Sequence, residues 1–210
     1  MKYIVFEVPD EPVEHVVIDI ETLSTESNAS ILSIGAACIS KEDKVVGAFY
    51  IPVDIQSCMD AGLVVDASTL KWWMSQGAEA REVFGKEQNN APSLDRALSI
   101  FIDWMDSLPA NENRSVRVWG NGSEFDIVVL ENAFKVTNYE VPWKFWNIMS
   151  MRVITYLNAK YKLEITREEP TVKHNALADA KAEAAFICSV LQRLQSEVSK
   201  KSIDNDTEML

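Results

Sequence analysis

The chain has 210 residues, 47% of them apolar and 25% charged, with a formal net charge of -12. That length and apolar content allow a substantial core, and one domain is the expectation. The acidic balance excludes a protein that coats nucleic acid through a broad basic surface. It does not exclude one that takes a strand end into a cation-bearing cleft, where bound ions reverse the local field.

Lys2 is followed by a short apolar run and then Glu7, Asp10 and Glu11, which does not read as a signal peptide. No apolar stretch has the length of a bilayer span. Cys38, Cys58 and Cys188 are widely spaced in apolar segments and form no C-x-x-C pair. They argue against a zinc site or a disulfide framework and for a reducing cytoplasm.

In chain order, residues 3–7 and 15–20 read as strands separated by a Pro-containing acidic turn. Two further strands are expected over 31–39 and 45–51, joined by the short polar link 40–44 as in an antiparallel hairpin. Helical spacing then predicts a helix over 68–84, with Leu70, Trp73, Met74 and Ala78 on one side. A second helix is predicted over 93–108, bounded by Pro92 and Pro109. The polar stretch 85–91 between them is expected as a loop. A strand over 116–119, a helix over 124–136, an aromatic-rich stretch 143–161 ending in a helix, and an Ala-rich helix over 175–198 complete the pattern. The acidic tail 199–210 is expected to fray. Strands first, then helices alternating with a strand, suggest one α/β domain with a mixed central sheet.

Three short segments carry the chemistry. The first ends in Ile18-Asp19-Ile20-Glu21. Side chains alternate along a strand, so Asp19 and Glu21 project from one face. Two carboxylates held together repel unless a proton or a cation sits between them, and a hard divalent cation suits oxygen ligands. Taken alone, the pair is more often an acidic, solvated turn. The second segment, Trp119 to Asp126, is a strand end, a Gly/Asn turn and a helix start. Ser123-x-x-Asp126 has capping-box spacing, so Asp126 reads locally as a cap. Such strand-to-helix turns are also where open α/β sheets place their ligands. In the third segment, Asn175 as N-cap leaves His174 on a loop and Asp179 in the first turns of a helix. That is either a base above a ligand, or a surface histidine and a dipole-stabilised aspartate. His15 precedes a strand without a partner pattern and reads as structural.

Together, D-x-E-T at 19–22, N-G-x-x-F-D ending at Asp126 and H-N-A-x-x-D from His174 to Asp179 resemble the DEDDh 3′–5′ exonucleases of the DnaQ-like, RNase H-like superfamily. The segments 28–36, 66–81 and 144–147 are similar to the small phage and prophage exonucleases typified by phage T4 exodeoxyribonuclease A, and a mycobacterial exoribonuclease branch shares that fold. The resemblance covers roughly residues 14–195. It implies an RNase H-like fold in a single exonuclease domain over 1–198, with a mixed central β-sheet flanked by α-helices. One position departs from the pattern: relatives usually carry an acid two residues before the arginine matching Arg152, and this chain has Ser150.

By that resemblance Asp19, Glu21, Asp126 and Asp179 hold two divalent cations, Mg²⁺ or Mn²⁺, with His174 as general base. The products are nucleoside 5′-monophosphates released from a 3′ end, with DNA favoured over RNA. Substrate contacts are expected at Thr22, Leu23, Asn121, Phe125 and Arg152. The implied partner is a nucleic-acid 3′ end and not a membrane, the location is cytoplasmic, and a homodimer stays open. Trp72, Trp73, Trp143 and Trp146 read first as core, with one of the four left to stack on a base. For Lys160, Lys162, Arg167 and Lys173 a solvated face is the default and a phosphate contact the second reading. A non-catalytic binding module on a decayed nuclease fold is disfavoured, since all four acids and the histidine are present.

Overall fold

The computed structural model describes residues 3–109 and 116–207, the stretch 201–207 as backbone alone. Strand β1 (Val5–Glu7) is followed by β2 (Val13–Thr22), β3 (Ile31–Ser40) and β4 (Val45–Pro52). The last three form the expected antiparallel meander, and β1 closes its outer edge against β4. On the other side β5 (Arg117–Gly120) and β6 (Ile148–Ser150) continue the sheet in parallel, giving the order β1-β4-β3-β2-β5-β6.

Alternation along β2 and β3 divides the interior into two layers. Val16, Ile18 and Ile20, with Ile34, Ala36 and Cys38, face a core shared with helices α3 (Leu94–Ser107) and α4 (Asp126–Val136). Val17, Ala37 and Ile39 face the opposite side, where α5 (Met151–Lys160) and α6 (Ala176–Thr207) lie. A third, smaller core gathers Leu23, Leu32, Trp73, Ala80 and Val83 beneath α2 (Ala67–Ser75). The result is a mixed sheet between two helical layers.

The structure departs from the sequence expectations in several places. The helix expected over 68–84 stops at Ser75, because Gln76 turns extended ahead of Gly77, and only a 3₁₀ turn at Ala80–Phe84 follows. Of the residues grouped on one side only Trp73 is buried; Leu70 and Met74 face solvent. Within the stretch 85–91 a short 3₁₀ turn forms at Gln88–Asn90. A one-and-a-half-turn helix α1 (Ile55–Asp60), capped by Asp54 through Ser57 N–H, was hidden in a sequence with little periodicity. The strand β6 was hidden inside the aromatic-rich stretch. The last helix runs on to Thr207, and residues 208–210 of the expected tail lie outside the described residues.

His15 is structural, as its isolation suggested. Its Nδ1 accepts the Trp119 indole N–H at 3.1 Å, and burial pushes its pKa down to about 4. The three cysteines are buried and unpaired. Among the described residues no helix is long and apolar enough to cross a membrane.

Candidate active site

Asp19 and Glu21 follow Val17 on the face of β2 that looks toward α6, one residue out of phase with the buried Ile18 and Ile20. The neighbour on one side is β3, where Asp19 lies opposite Gly35 and Glu21 opposite Ser33. The neighbour on the other side ends early. Pairing of β2 with β5 stops at Val17–Trp119, so the acid-bearing half of β2 has an open edge there.

Asp126 fills that opening. The chain leaves β5 at Gly120, turns through a Phe125 N–H to Gly122 C=O bond of 2.7 Å, and enters α4. Asp126 is the first helical residue, and Phe125 at the cap position offers no side-chain hydrogen bond. The capping box suggested by Ser123 therefore does not form. The buried Asp126 carboxylate turns inward instead, where the backbone N–H groups of Ile20, Gly122 and Asp126 itself favour its charged form. A Cβ on Gly120 would stand 3.1 Å from Asp126 Oδ2, so the absence of a side chain makes room for the carboxylate.

The third part of the site is the start of α6. Asn175 caps it, its Oδ1 accepting Ala178 N–H at 3.0 Å. Asp179 answers by accepting Asn175 N–H at 3.1 Å, a reciprocal pair that fixes its rotamer. The helix start rests directly on β3: a Cβ built on Gly35 would fall 2.1 Å from the Ala176 carbonyl carbon and 2.4 Å from Leu177 N. Only glycine permits this approach, which carries Asp179 down to the acids of β2. His174 precedes the cap with φ +60°, a left-handed conformation tolerated by few residues other than glycine. Its imidazole is held edge-on by Trp72, with ring centres 4.8 Å apart, and by Trp73 at 6.1 Å.

One ligand oxygen each from Asp19, Glu21 and Asp179 lies within 4.8 Å of the others. Asp126 stands beside this trio, and its charge raises the pKa of both Asp19 and Glu21. Burial is the larger cause throughout. It lifts Asp19 well above the usual carboxylate range, Glu21 to about 8 and Asp126 to about 6, and it raises Asp179 as well. Clustered carboxylates that resist ionising together are the signature of a place built for positive charge. All the donors are carboxylate oxygens, the set that suits Mg²⁺ or Mn²⁺ rather than a soft metal. The residues present fit a hard divalent cation.

The expected substrate residues are distributed unevenly. Thr22 is buried, with Oγ1 donating to Ser24 C=O, and Leu23 belongs to the small core. Asn121 is exposed in the turn before α4, and Phe125 is half-buried against the main core. Arg152 is exposed and ion-paired to Glu124 across the β6 end, beside the Ser150 that departs from the usual acid. Of the four tryptophans, Trp73 and Trp143 are core, whereas Trp72 is 43% and Trp146 65% exposed. Trp73 ties α2 to the site by donating its indole N–H to Thr22 C=O at 2.9 Å.

Two residues escaped the sequence reading. Gly35 sits in a run of small residues and gives no local signal of a helix crossing above it. Glu183, one turn beyond Asp179 on α6, looks like an ordinary helix-surface acid, yet it is 1% exposed. It pairs with Arg167 at 3.0 Å, and burial lifts its pKa to about 8. Its i+4 spacing from Asp179 was the available clue.

A family model described as the 3′–5′ exoribonuclease Rv2179c-like domain matches residues 14–191. The exodeoxyribonuclease of Enterobacteria phage T4 is 24% identical over 158 residues, covering 65% of this chain and 68% of that enzyme. Among solved structures, E. coli exonuclease I in complex with a dA16 oligonucleotide has a TM-score of 0.60 at 14% identity, covering 85% of this chain and 41% of that one. Cell-death related nuclease 4 has a TM-score of 0.60 at 10% identity, covering 84% and 63%. The chain thus spans well under half of exonuclease I. What it shares with these structures is the RNase H-like fold, a mixed sheet flanked by helices.

Proposed function

The chain belongs to the family of 3′–5′ exoribonuclease Rv2179c-like domains, and from that membership we propose a metal-dependent exonuclease of the DEDDh type that shortens DNA from its 3′ end. The observation that carries this reading is the convergence of Asp19, Glu21 and Asp179, from β2 and α6, to within 4.8 Å.

Asp19, Glu21, Asp126 and Asp179 are the residues that would hold two Mg²⁺ or Mn²⁺ ions. When bound, such ions supply charge stabilisation at the attacking and leaving oxygens of the displacement. The rest falls to the chain. His174, on the loop above Asp179, takes a proton from the attacking water onto a ring nitrogen. The water oxygen bonds to phosphorus, the bond from phosphorus to the 3′ oxygen of the preceding nucleotide breaks, and that oxygen takes a proton from a solvent water to become a 3′-hydroxyl, while His174 returns its own proton to solvent. The product is a nucleoside 5′-monophosphate. Trp72 offers its exposed indole to a base close to this proton transfer, since every base has a π-face on which to stack.

DNA is favoured by the phage T4 exodeoxyribonuclease relative. RNA is the second reading, favoured by the description of the family model itself. Time courses on single-stranded DNA, 3′-recessed DNA and RNA of one sequence, with Mg²⁺ and with chelator, separate the two. Release of 5′-monophosphates from DNA, dependent on Mg²⁺, is the expected result. Faster release from RNA would overturn the substrate, and release unaffected by chelator would overturn the metal centre.

A further inference from the structure

The segment between α5 and α6 that carries His174 has neither helix nor strand to stiffen it. Lys162 and Glu164 adopt φ of +52° and +59°, and His174 adopts +60°. Such a path persists only where surrounding contacts over-determine it. Three anchors do so. Leu163 is buried in the core beneath α6. Asn158 grips Ile165 from both sides, donating to its C=O at 2.8 Å and accepting its N–H at 3.2 Å. Arg167 reaches down to Glu183 Oε1 at 3.0 Å.

The third anchor is the unusual one. Glu183 lies on the same helical row as Asp179, so one face of α6 carries both a metal-site acid and the tether of the base-bearing loop. Its side chain is 1% exposed, and among the described residues Oε2 has no hydrogen-bond partner. Only the carboxylate of this ion pair is buried, since the Arg167 side chain is 33% exposed, and with one oxygen unsatisfied the pair is weak evidence of stabilisation. The geometry such a pair specifies is the other reason for a fold to keep it. Between Arg167 and the helix start lies a cavity of about 270 Å³, lined also by Pro170, Lys173, His174 and Asp179.

We propose that Arg167 and Glu183 form a positioning clamp that sets the height and direction of His174 over Asp179. The inference rests on the general-base reading of His174. Without the clamp, no hydrogen bond or ion pair among the described residues ties residues 166–173 to α6, and His174 keeps its ring contacts with Trp72 and Trp73 and the neighbouring helix cap. Lys173 cannot substitute, because its partner Glu169 is exposed and belongs to the same loop.

The test is a double-mutant cycle on the full chain with a single-stranded oligonucleotide. Arg167→Ala is expected to lower kcat on the order of 10²-fold, the cost of misplacing a catalytic group by about 1 Å. KM and Mn²⁺ affinity by calorimetry should stay within about twofold. Arg167→Lys and added guanidinium should each restore part of the rate, and Glu183→Leu, which removes the acceptor, should reproduce the loss without unfolding the chain. In a His174→Ala background Arg167→Ala should cost nothing further. A full additional loss in that background would overturn the clamp, and so would a raised KM with kcat intact, which marks Arg167 as a phosphate ligand. Wild-type kcat in His174→Ala alone would overturn the general-base reading instead.

Discussion

Ala176 and Gly35 meet backbone to backbone, closer than any side chain would allow, directly opposite Asp19 on the neighbouring strand. The contact sets how far α6 descends, and therefore whether Asp179 reaches the acids of β2. Gly35→Ala should lift the helix start by at least the depth of a methyl group. Mn²⁺ affinity measured by calorimetry and exonuclease rate should fall together, each by tenfold or more, on the order of what small displacements of catalytic groups cost. A Gly35→Ala variant with normal affinity and rate would show that the close approach is not what assembles the site.

His174→Ala should reduce kcat by roughly 10²–10⁴, the usual worth of a general base, while leaving metal affinity unchanged. The checks are single-turnover kinetics and a metal titration of the same variant. A variant that lost metal affinity instead would make His174 a ligand.

The acid cluster gives the ion-free protein an unusual pH dependence. Glu21 ionises near 8 when folded, against an ordinary value of 4.5, so the folded chain holds more protons across that window. Stability is therefore full below about pH 4.5 for this group and is lost as pH rises toward 8. Asp126, raised to about 6, adds to the same slope. Thermal melts without metal should fall from pH 5 to pH 8, and Mg²⁺ should remove much of the fall. Glu21→Gln should raise the ion-free melting temperature at pH 8 by about 2–4 °C per kcal/mol of relieved burial cost and repulsion. A flat profile would contradict the clustering.

His15 acts with the opposite sign. Its folded pKa near 4 lies below the ordinary 6.5, so the unfolded chain binds the extra proton between those values. Its contribution is present above about pH 6.5 and is lost as pH falls through 4, on the order of 3 kcal/mol. His15→Gln should flatten that acid limb in chemical denaturation, since an amide oxygen can still accept the Trp119 N–H without gaining a proton.

Trp72→Ala should weaken binding of a single-stranded oligonucleotide by about 1–3 kcal/mol, with little effect on a small phosphodiester that lacks a nucleobase. Trp73→Ala should instead lower the melting temperature, because that indole fills a core and ties down Thr22. Equal behaviour of the two variants in either assay would erase the distinction.

Much of this was legible in the chain because it depends on short-range periodicity. The phase of Val17, Asp19 and Glu21 follows from strand alternation, and the boundary at Asn175 follows from capping chemistry. Asp126 was legible as a site residue only through its company, since its local pattern pointed to a cap that does not form. The break after Ser75 was obscured by apolar spacing that continued past it, and the side grouping Trp73 with Leu70 and Met74 did not say which of these would be buried. Gly35, Arg167 and Glu183 were illegible for one reason. Their importance lies in contacts between segments far apart in sequence, and no window along the chain contains both partners.

The acids come from β2, from the start of α4 and from the start of α6, a helix that begins only at Ala176. A ribosome making this chain therefore completes every strand of the sheet before it supplies the histidine loop and Asp179. Until α6 emerges and settles over Gly35, the half-made protein holds an acidic groove with no base above it. On the proposed mechanism the nascent chain lacks both an acid and the base, and its competence would arrive with the docking of one helix.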